Sequence, residues 1–196
     1  VKELNLAKIY YKNVENEEEF AKYSSLAQKD ILKKEALYSL VNGKTSGFLN
    51  WMYNDNWGCG TWAVVDKYFE AKPAYYALKE AFAPFVIFYF DSSFYIKNST
   101  LEEKEVEFIY GSSEFDLSKR NENRVLANLK PNEIRKIDFT NKDNLPYLFA
   151  YLNVDGSSYQ YIDIKKEFDL SDYGNDIETS IVENSSSYLK IKIVAK

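Results

Sequence analysis

The sequence predicts an α+β chain: the terminal helix-strand-helix portion of a β/α (TIM) barrel, followed by an antiparallel β-sandwich. Three observations carry this. Residues 17 to 42 place apolar side chains at helical spacing, and seven short strand-like runs follow one another between Phe85 and Ile164. Between these regions, an apolar run empties into a polar, tryptophan-rich loop and then a helix. In α/β proteins that order places functional groups at the carboxyl end of the strand.

The chain opens with an apolar stretch, Leu4 to Tyr11, which the pattern leaves unassigned. A helix then starts, with Asn16 as its cap and Glu17, Glu18 and Glu19 at the positive end of the dipole; Gly43 is placed to close it. Phe20, Tyr23, Ala27, Ile31, Leu37 and Val41 form one face. Gly47 to Tyr53 has the length of a buried strand, and Asn54, Asp55, Asn56, Gly58 and Gly60 make the loop after it. Lys72-Pro73-Ala74-Tyr75-Tyr76 starts the second helix, with Pro73 in its first turn and Pro84 ending the run. A single strand between two helices is too little chain to close eight β/α units, so strand edges and helix faces are left uncovered.

Beyond Pro84 the expected strands are Phe85 to Phe90, Ser93 to Lys97, Glu105 to Tyr110, Arg124 to Leu129, Arg135 to Phe139, Leu148 to Asn153 and Ser158 to Ile164. Glu105 to Phe108 and Gln160 to Ile164 alternate with the period of two of a half-buried strand. Ile177 to Val182 and Tyr188 to Val194 read as further strands after a polar stretch with Asp169, Asp172, Gly174 and Asp176; Asn184 to Ser187 reads as a turn. The expected division is residues 1–84, 85–165 and 166–196. The last part either completes the sandwich or starts another β domain. Asn98-Ser99-Thr100 fits a glycosylation acceptor but reads as a turn.

Composition narrows the function. A net charge of −5 without a basic block argues against nucleic acid and anionic membrane, and no apolar run reaches the roughly 18 to 20 residues that span a bilayer. The start has no secretory apolar core, so a cytoplasmic location is expected. Histidine is absent, which removes Ser-His-Asp and Cys-His chemistry and the commonest zinc ligand. The one cysteine, Cys59, reads as a packed thiol, and no phosphate-binding glycine pattern occurs. No cofactor or metal is expected.

The loop region holds all three tryptophans. The run Gly47-x-x-x-Trp51-x-x-Asn54-Asp55-x-Trp57, then Trp62-x-x-x-Asp66-x-Tyr68, Lys72-Pro73-Ala74-Tyr75-Tyr76 and Phe82-Ala83-Pro84, resembles the end of the catalytic barrel of family 2 glycoside hydrolases, nearest to the β-mannosidase branch. Gly58 departs from it where the family usually has proline, and Phe69-Glu70-Ala71 replaces a glycine-containing turn. The resemblance implies the seventh helix, eighth strand and eighth helix of a barrel, with an immunoglobulin-like sandwich after them. It implies retaining cleavage of O-glycosidic bonds by two glutamates that would precede residue 1, so no catalytic residue is assigned. Glu17 to Glu19 and Glu102 to Glu107 read instead as a helix start and a solvated strand face.

The chain is thus expected to supply sugar contacts. Its partners are a carbohydrate, a β-mannoside or related β-glycoside, and the rest of its own catalytic domain. Trp51 is the foremost candidate, its ring stacking on sugar C–H groups or else sealing the barrel end. Asn54 and Asp55 either hydrogen-bond sugar hydroxyls or shape the loop. Trp57 is placed with them at the substrate, although it and Trp62 read more often as packing residues that hold the loop against the barrel, while Tyr75 and Tyr76 read as core and surface packing. The resemblance also implies a cis peptide at Trp51-Met52. The alternative reading is a non-catalytic carbohydrate-binding or interaction module in which the sandwich does the work. A start on Val1 instead of methionine, and a barrel end that such a module does not need, favour a fragment.

Overall fold

The computed structural model describes residues 14, 16–42, 44–45, 47–58, 60–164, 177–184 and 189–195. Leu4 to Tyr11, Gly43, Cys59, the polar stretch from Asp169 to Asp176 and the turn at Ser185 to Ser187 lie outside these residues. The chain divides into two compact units, Val1–Lys166 and Glu167–Lys196.

Helix α1, Glu17–Val41, begins as its sequence dictates: Asn16 is extended and its side-chain oxygen accepts the Glu19 amide at 2.9 Å. The buried face is Ala27, Gln28, Leu32, Ala36, Leu37 and Val41, so it turns away from the expected Phe20, Tyr23 and Ile31, which are half-buried. Over seven turns no fixed stripe of 3.6-residue spacing stays on one line, and each stretch buries what its local neighbour covers. Helix α2, Pro73–Ala81, has Pro73 at its first position and buries Ala74, Ala77, Leu78 and Ala81. Its small residues let α1 and α2 approach, and Lys33 bridges to Glu80 at 2.5 Å.

Between the helices the structure corrects one expectation. Gly47 to Tyr53 is neither a ladder strand nor buried; the only ladder contacts nearby are isolated bridges, Asn54 to Val65 in parallel and Val65 to Ala71 antiparallel. A strand exists through its neighbours' hydrogen bonds, and among the described residues this segment receives backbone hydrogen bonds only at its end, from Val64 and Val65 to the Tyr53 carbonyl. It still keeps the alternation of extended chain. Phe48, Asn50 and Met52 are half-buried, while Leu49, Trp51 and Tyr53 are exposed. The Trp51–Met52 peptide is cis, as the resemblance implied.

Between Pro84 and Ile164 the chain forms two antiparallel sheets. Strands β1 (Phe85–Phe90), β2 (Ser93–Asn98) and β5 (Ile134–Asp138) pair in the order β1-β2-β5. Strands β3 (Lys104–Ser113), β4 (Arg120–Leu129), β6 (Tyr147–Val154) and β7 (Ser157–Ile164) pair as β4-β3-β6-β7. Two-residue turns with positive φ, Asp91-Ser92 and Asp155-Gly156, join β1 to β2 and β6 to β7, the geometry that suits the strand twist. Inward residues of both sheets meet in an aromatic core. The Phe94 ring lies 5.8 Å from Phe108, 5.5 Å from Tyr110, 5.4 Å from Phe139 and 6.3 Å from Tyr161. This core is continuous with the buried faces of α1 and α2, through Leu37, Val41, Leu78 and Val86.

Two positions show why particular residues are required. Gly111 on β3 faces Phe149 of β6 and the Asn121 carbonyl; a Cβ there would lie 1.8 Å from that oxygen. Asn98 is fully buried at the end of β2. Its amide donates to the carbonyls of Glu102, Leu129 and Lys130, and its oxygen accepts from the Thr100 amide and hydroxyl. The Asn98-Ser99-Thr100 sequence is therefore a structural turn, with its acceptor nitrogen sealed inside.

The second unit contains β8 (Ile177–Asn184) and β9 (Leu189–Ala195), an antiparallel pair with a register shift between Ile181 and Glu183. Among the described residues no helix is long and apolar enough to cross a membrane.

Candidate functional site

The loop from Tyr53 to Lys72 is held by hydrogen bonds of its own backbone. The Asp55 amide donates to Val65 at 3.0 Å, Val64 and Val65 donate to the Tyr53 carbonyl, and the Lys72 amide donates to Val64 at 2.9 Å. From α1, the buried Gln28 donates to the Trp62 carbonyl at 2.8 Å and to that of Ala63 at 3.3 Å. Further on, one Asp66 carboxylate oxygen accepts the amides of Tyr68 and Glu70, closing a turn in which Phe69 sits at a φ of 65°.

At the centre of the loop is a buried ion pair. Asp55 is 5% exposed, and Lys72 Nζ donates to its Oδ2 at 2.6 Å. The Thr61 hydroxyl donates to Asp55 Oδ1, and Lys72 Nζ is 3.5 Å from the same hydroxyl. Burial pushes the Asp55 carboxyl upward, but the hydrogen bonds from Lys72 and Thr61, with the Lys72 charge, outweigh it and hold the group below the usual carboxylate range. Among the described residues no cluster of His, Cys, Asp and Glu has the arrangement of a metal site.

Around this centre the aromatic side chains face outward. Trp51 is 80% exposed and Trp57 65%, with Trp62 at 43%. Gln28 and the ion pair hold the loop from within. Trp62 is a wall common to two clefts. One, of about 380 Å³, is lined by Phe20, Ser24, Gln28, Thr61 and Lys72. The other, of about 410 Å³ and more open, runs along Phe48, Asn50 and Trp51 against Ile31 and Leu32. Asn54 is half-buried, and its amide makes a long contact of 3.5 Å to the Asp55 carbonyl. Tyr75 packs partly against the core and meets the exposed Tyr76 edge-on at 5.5 Å.

The structure thus brings Trp51, Asn54, Asp55 and Trp57 into one short segment with Trp51 and Trp57 open to solvent. It gives Asp55 two internal partners. The residues missed from the sequence are Gln28, Thr61 and Lys72. Lys72 was visible as the residue before a helix-starting proline and as part of the resembling run, but not as a partner of Asp55, which lies 17 residues earlier.

No protein-family model and no curated protein sequence matches the chain. Solved structures do. A β-D-mannosidase from Dictyoglomus thermophilum superposes with a TM-score of 0.72 at 24% identity, over 85% of this chain and 22% of that one. An exo-chitosanase from Amycolatopsis orientalis, solved with PNP-β-D-glucosamine, superposes with a TM-score of 0.70 at 17% identity, over 97% of this chain and 24% of that one. The chain therefore spans less than a quarter of the length of these relatives, and its fold is that of a part of a β-mannosidase-like glycoside hydrolase, the kind of enzyme its tryptophan motifs resemble.

Proposed function

We propose that this chain is the C-terminal part of a retaining, β-mannosidase-like family 2 glycosidase, in which residues 1–84 end the catalytic barrel and residues 85–165 form an immunoglobulin-like accessory sandwich. The observation that carries this is the extended segment at 47–53. Its half-buried side rests on the helices, and its other side presents Leu49, Trp51 and Tyr53 uncovered. A row of large apolar side chains at that exposure is what a barrel strand shows when the rest of its barrel is not beside it. The strand orders β1-β2-β5 and β4-β3-β6-β7 support an immunoglobulin-like arrangement.

In this reading Trp51 stacks on a sugar ring, with Trp57 and the Asn54 carboxamide beside it at the carboxyl end of the last strand. Of the two roles open to Asp55, its occupied oxygens favour shaping the loop. The acid/base and nucleophile come from the preceding part of the barrel, and this chain supplies sugar contacts and support. The partners are a β-mannoside or related β-glycoside and the remainder of the catalytic domain.

The experiment compares the 196-residue chain with a chain extended upstream along its coding frame, on aryl β-mannosides, β-galactosides and β-glucuronides. Turnover by the extended chain alone is expected. Turnover by the short chain that disappears on mutating one of its own Asp or Glu residues would overturn the reading.

A further inference from the structure

We propose that Lys72 and Asp55, closed by Thr61, are positioning residues that set the orientation of Trp57 and Trp62 beside the sugar-facing Trp51; this rests on the reading of Trp51 and Trp57 as sugar contacts. Three points of one loop converge here. Asp55 stands one residue after Asn54 and two before Trp57, Thr61 stands immediately before Trp62, and Lys72 caps the start of α2. The 2.6 Å ion pair and the Thr61 hydrogen bond tie all three together, so the arc from Asn56 to Gly60 that carries Trp57 is closed at its base. Trp62 is fixed from both sides, by Thr61 through this cluster and by Gln28 through its own carbonyl.

The pair is suited to this role. The side chains of Asp55 and Lys72 are 4% and 19% exposed, so their attraction is little screened by solvent or salt. Removing one partner leaves a buried charge with nothing opposite it. Lys72 is the charged group that acts on Asp55, and Thr61 is the other side chain hydrogen-bonded to it. Of the remaining charged groups of the loop, Asp66 is engaged by the Tyr68 and Glu70 amides, Lys67 lies over the Tyr68 ring, and Glu70 is exposed; α1 presents the uncharged Gln28. Asp55 is buried and hydrogen-bonded inside the loop at both oxygens, so its contribution to a sugar site passes through the loop.

The test follows the three indole N–H signals of the ¹⁵N-labelled 196-residue chain by NMR, from pH 7 down through the carboxylate range, with methyl β-D-mannoside as the ligand probe. In the wild type the Trp57 and Trp62 signals are expected to move together in one acid step. Asp55→Asn should remove that step, and Lys72→Met should displace both signals at neutral pH while the amides around Phe94 in the sandwich stay in place. Lys72→Arg, which keeps the charge, should restore the wild-type signals and any mannoside-induced shift of Trp51. Trp57 and Trp62 signals in Lys72→Met that match the wild type at every pH overturn the inference. Should Lys72→Met fail to fold, the wild-type step and its loss in Asp55→Asn decide alone, and their absence overturns it equally. A wild type that shows the acid step but no mannoside response at Trp51 keeps the positioning role and counts against the sugar-site reading.

Discussion

Replacing Asn98 should be among the most damaging single changes in the sandwich. Its side chain is fully buried; its two N–H groups are shared among the carbonyls of Glu102, Leu129 and Lys130, and its oxygen accepts twice from Thr100. A neutral hydrogen bond contributes about 1 kcal/mol net, and a buried group left without a partner costs about 1–3 kcal/mol. The Thr100 groups and the Glu102 carbonyl lie near the surface, where water can replace the amide; the Leu129 carbonyl is buried. Asn98→Ala should therefore cost about 3 kcal/mol, a large share of the roughly 5–15 kcal/mol that stabilises a domain. With a urea slope of about 2 kcal/mol/M, the midpoint moves down by roughly 1.5 M. Asn98→Asp keeps the shape but turns an oxygen toward three carbonyls, and should cost more than Asn98→Ala. Urea unfolding followed by near-ultraviolet circular dichroism, which reports the aromatic core, reads both. A cost below about 1 kcal/mol for Asn98→Ala, or a milder effect of Asn98→Asp, would refute the reasoning.

Three further outcomes are expected. Gly111→Ala should destabilise the sandwich by more than about 3 kcal/mol in the same urea experiment, because its Cβ would lie 1.8 Å from a strand backbone oxygen that cannot give way without breaking the β3–β4 ladder. Phe69→Gly should be neutral or stabilise by up to about 1 kcal/mol by differential melting, since Phe69 is exposed at a φ of 65° and glycine's freedom in the unfolded chain offsets part of the relief. Stability should also fall with acid. Burial raises Asp55 but Lys72 and Thr61 bring it below its ordinary value; Asp138 is lowered by Lys136 and Ser93, and Asp143 by Lys119 and Asn121. Groups whose folded pKa is lowered leave the unfolded chain binding more protons, so their stabilisation is complete above the ordinary carboxylate pKa of about 4 and is lost as pH falls below it. Melting temperatures that rise between pH 5 and pH 3 would contradict this.

Local chemistry made much of this fold legible. Asn16 followed by three glutamates fixes where α1 begins, because the cap and the dipole act within one turn, and Pro73 does the same for α2. The centres of β3 and β6 were readable because one face had to be buried. Strand ends were not: β4 starts at Arg120, four residues before the expected Arg124, since pairing with β3 recruits Arg120 to Asn123 whatever their propensity. The 47–53 segment failed in the opposite way, as it has an apolar strand's composition but is hydrogen-bonded to a neighbouring backbone only at Tyr53 among the described residues. The site was legible as a list of tryptophans on one segment, and its mechanics were not. Asp55 and Lys72 are 17 residues apart, and Gln28 reaches Trp62 across 34, separations at which no spacing rule links two side chains.

The proposed role of Trp51 is tested most directly by kcat/KM for an aryl β-mannoside in the upstream-extended protein, wild type against Trp51→Ala. Loss of a stacking surface worth about 1–2 kcal/mol in the transition state predicts a fall of roughly 5- to 30-fold, while the melting temperature of the 196-residue chain, where the side chain is largely exposed, stays unchanged. An unchanged kcat/KM in Trp51→Ala, or an extended protein that cleaves none of the glycosides, would contradict the account.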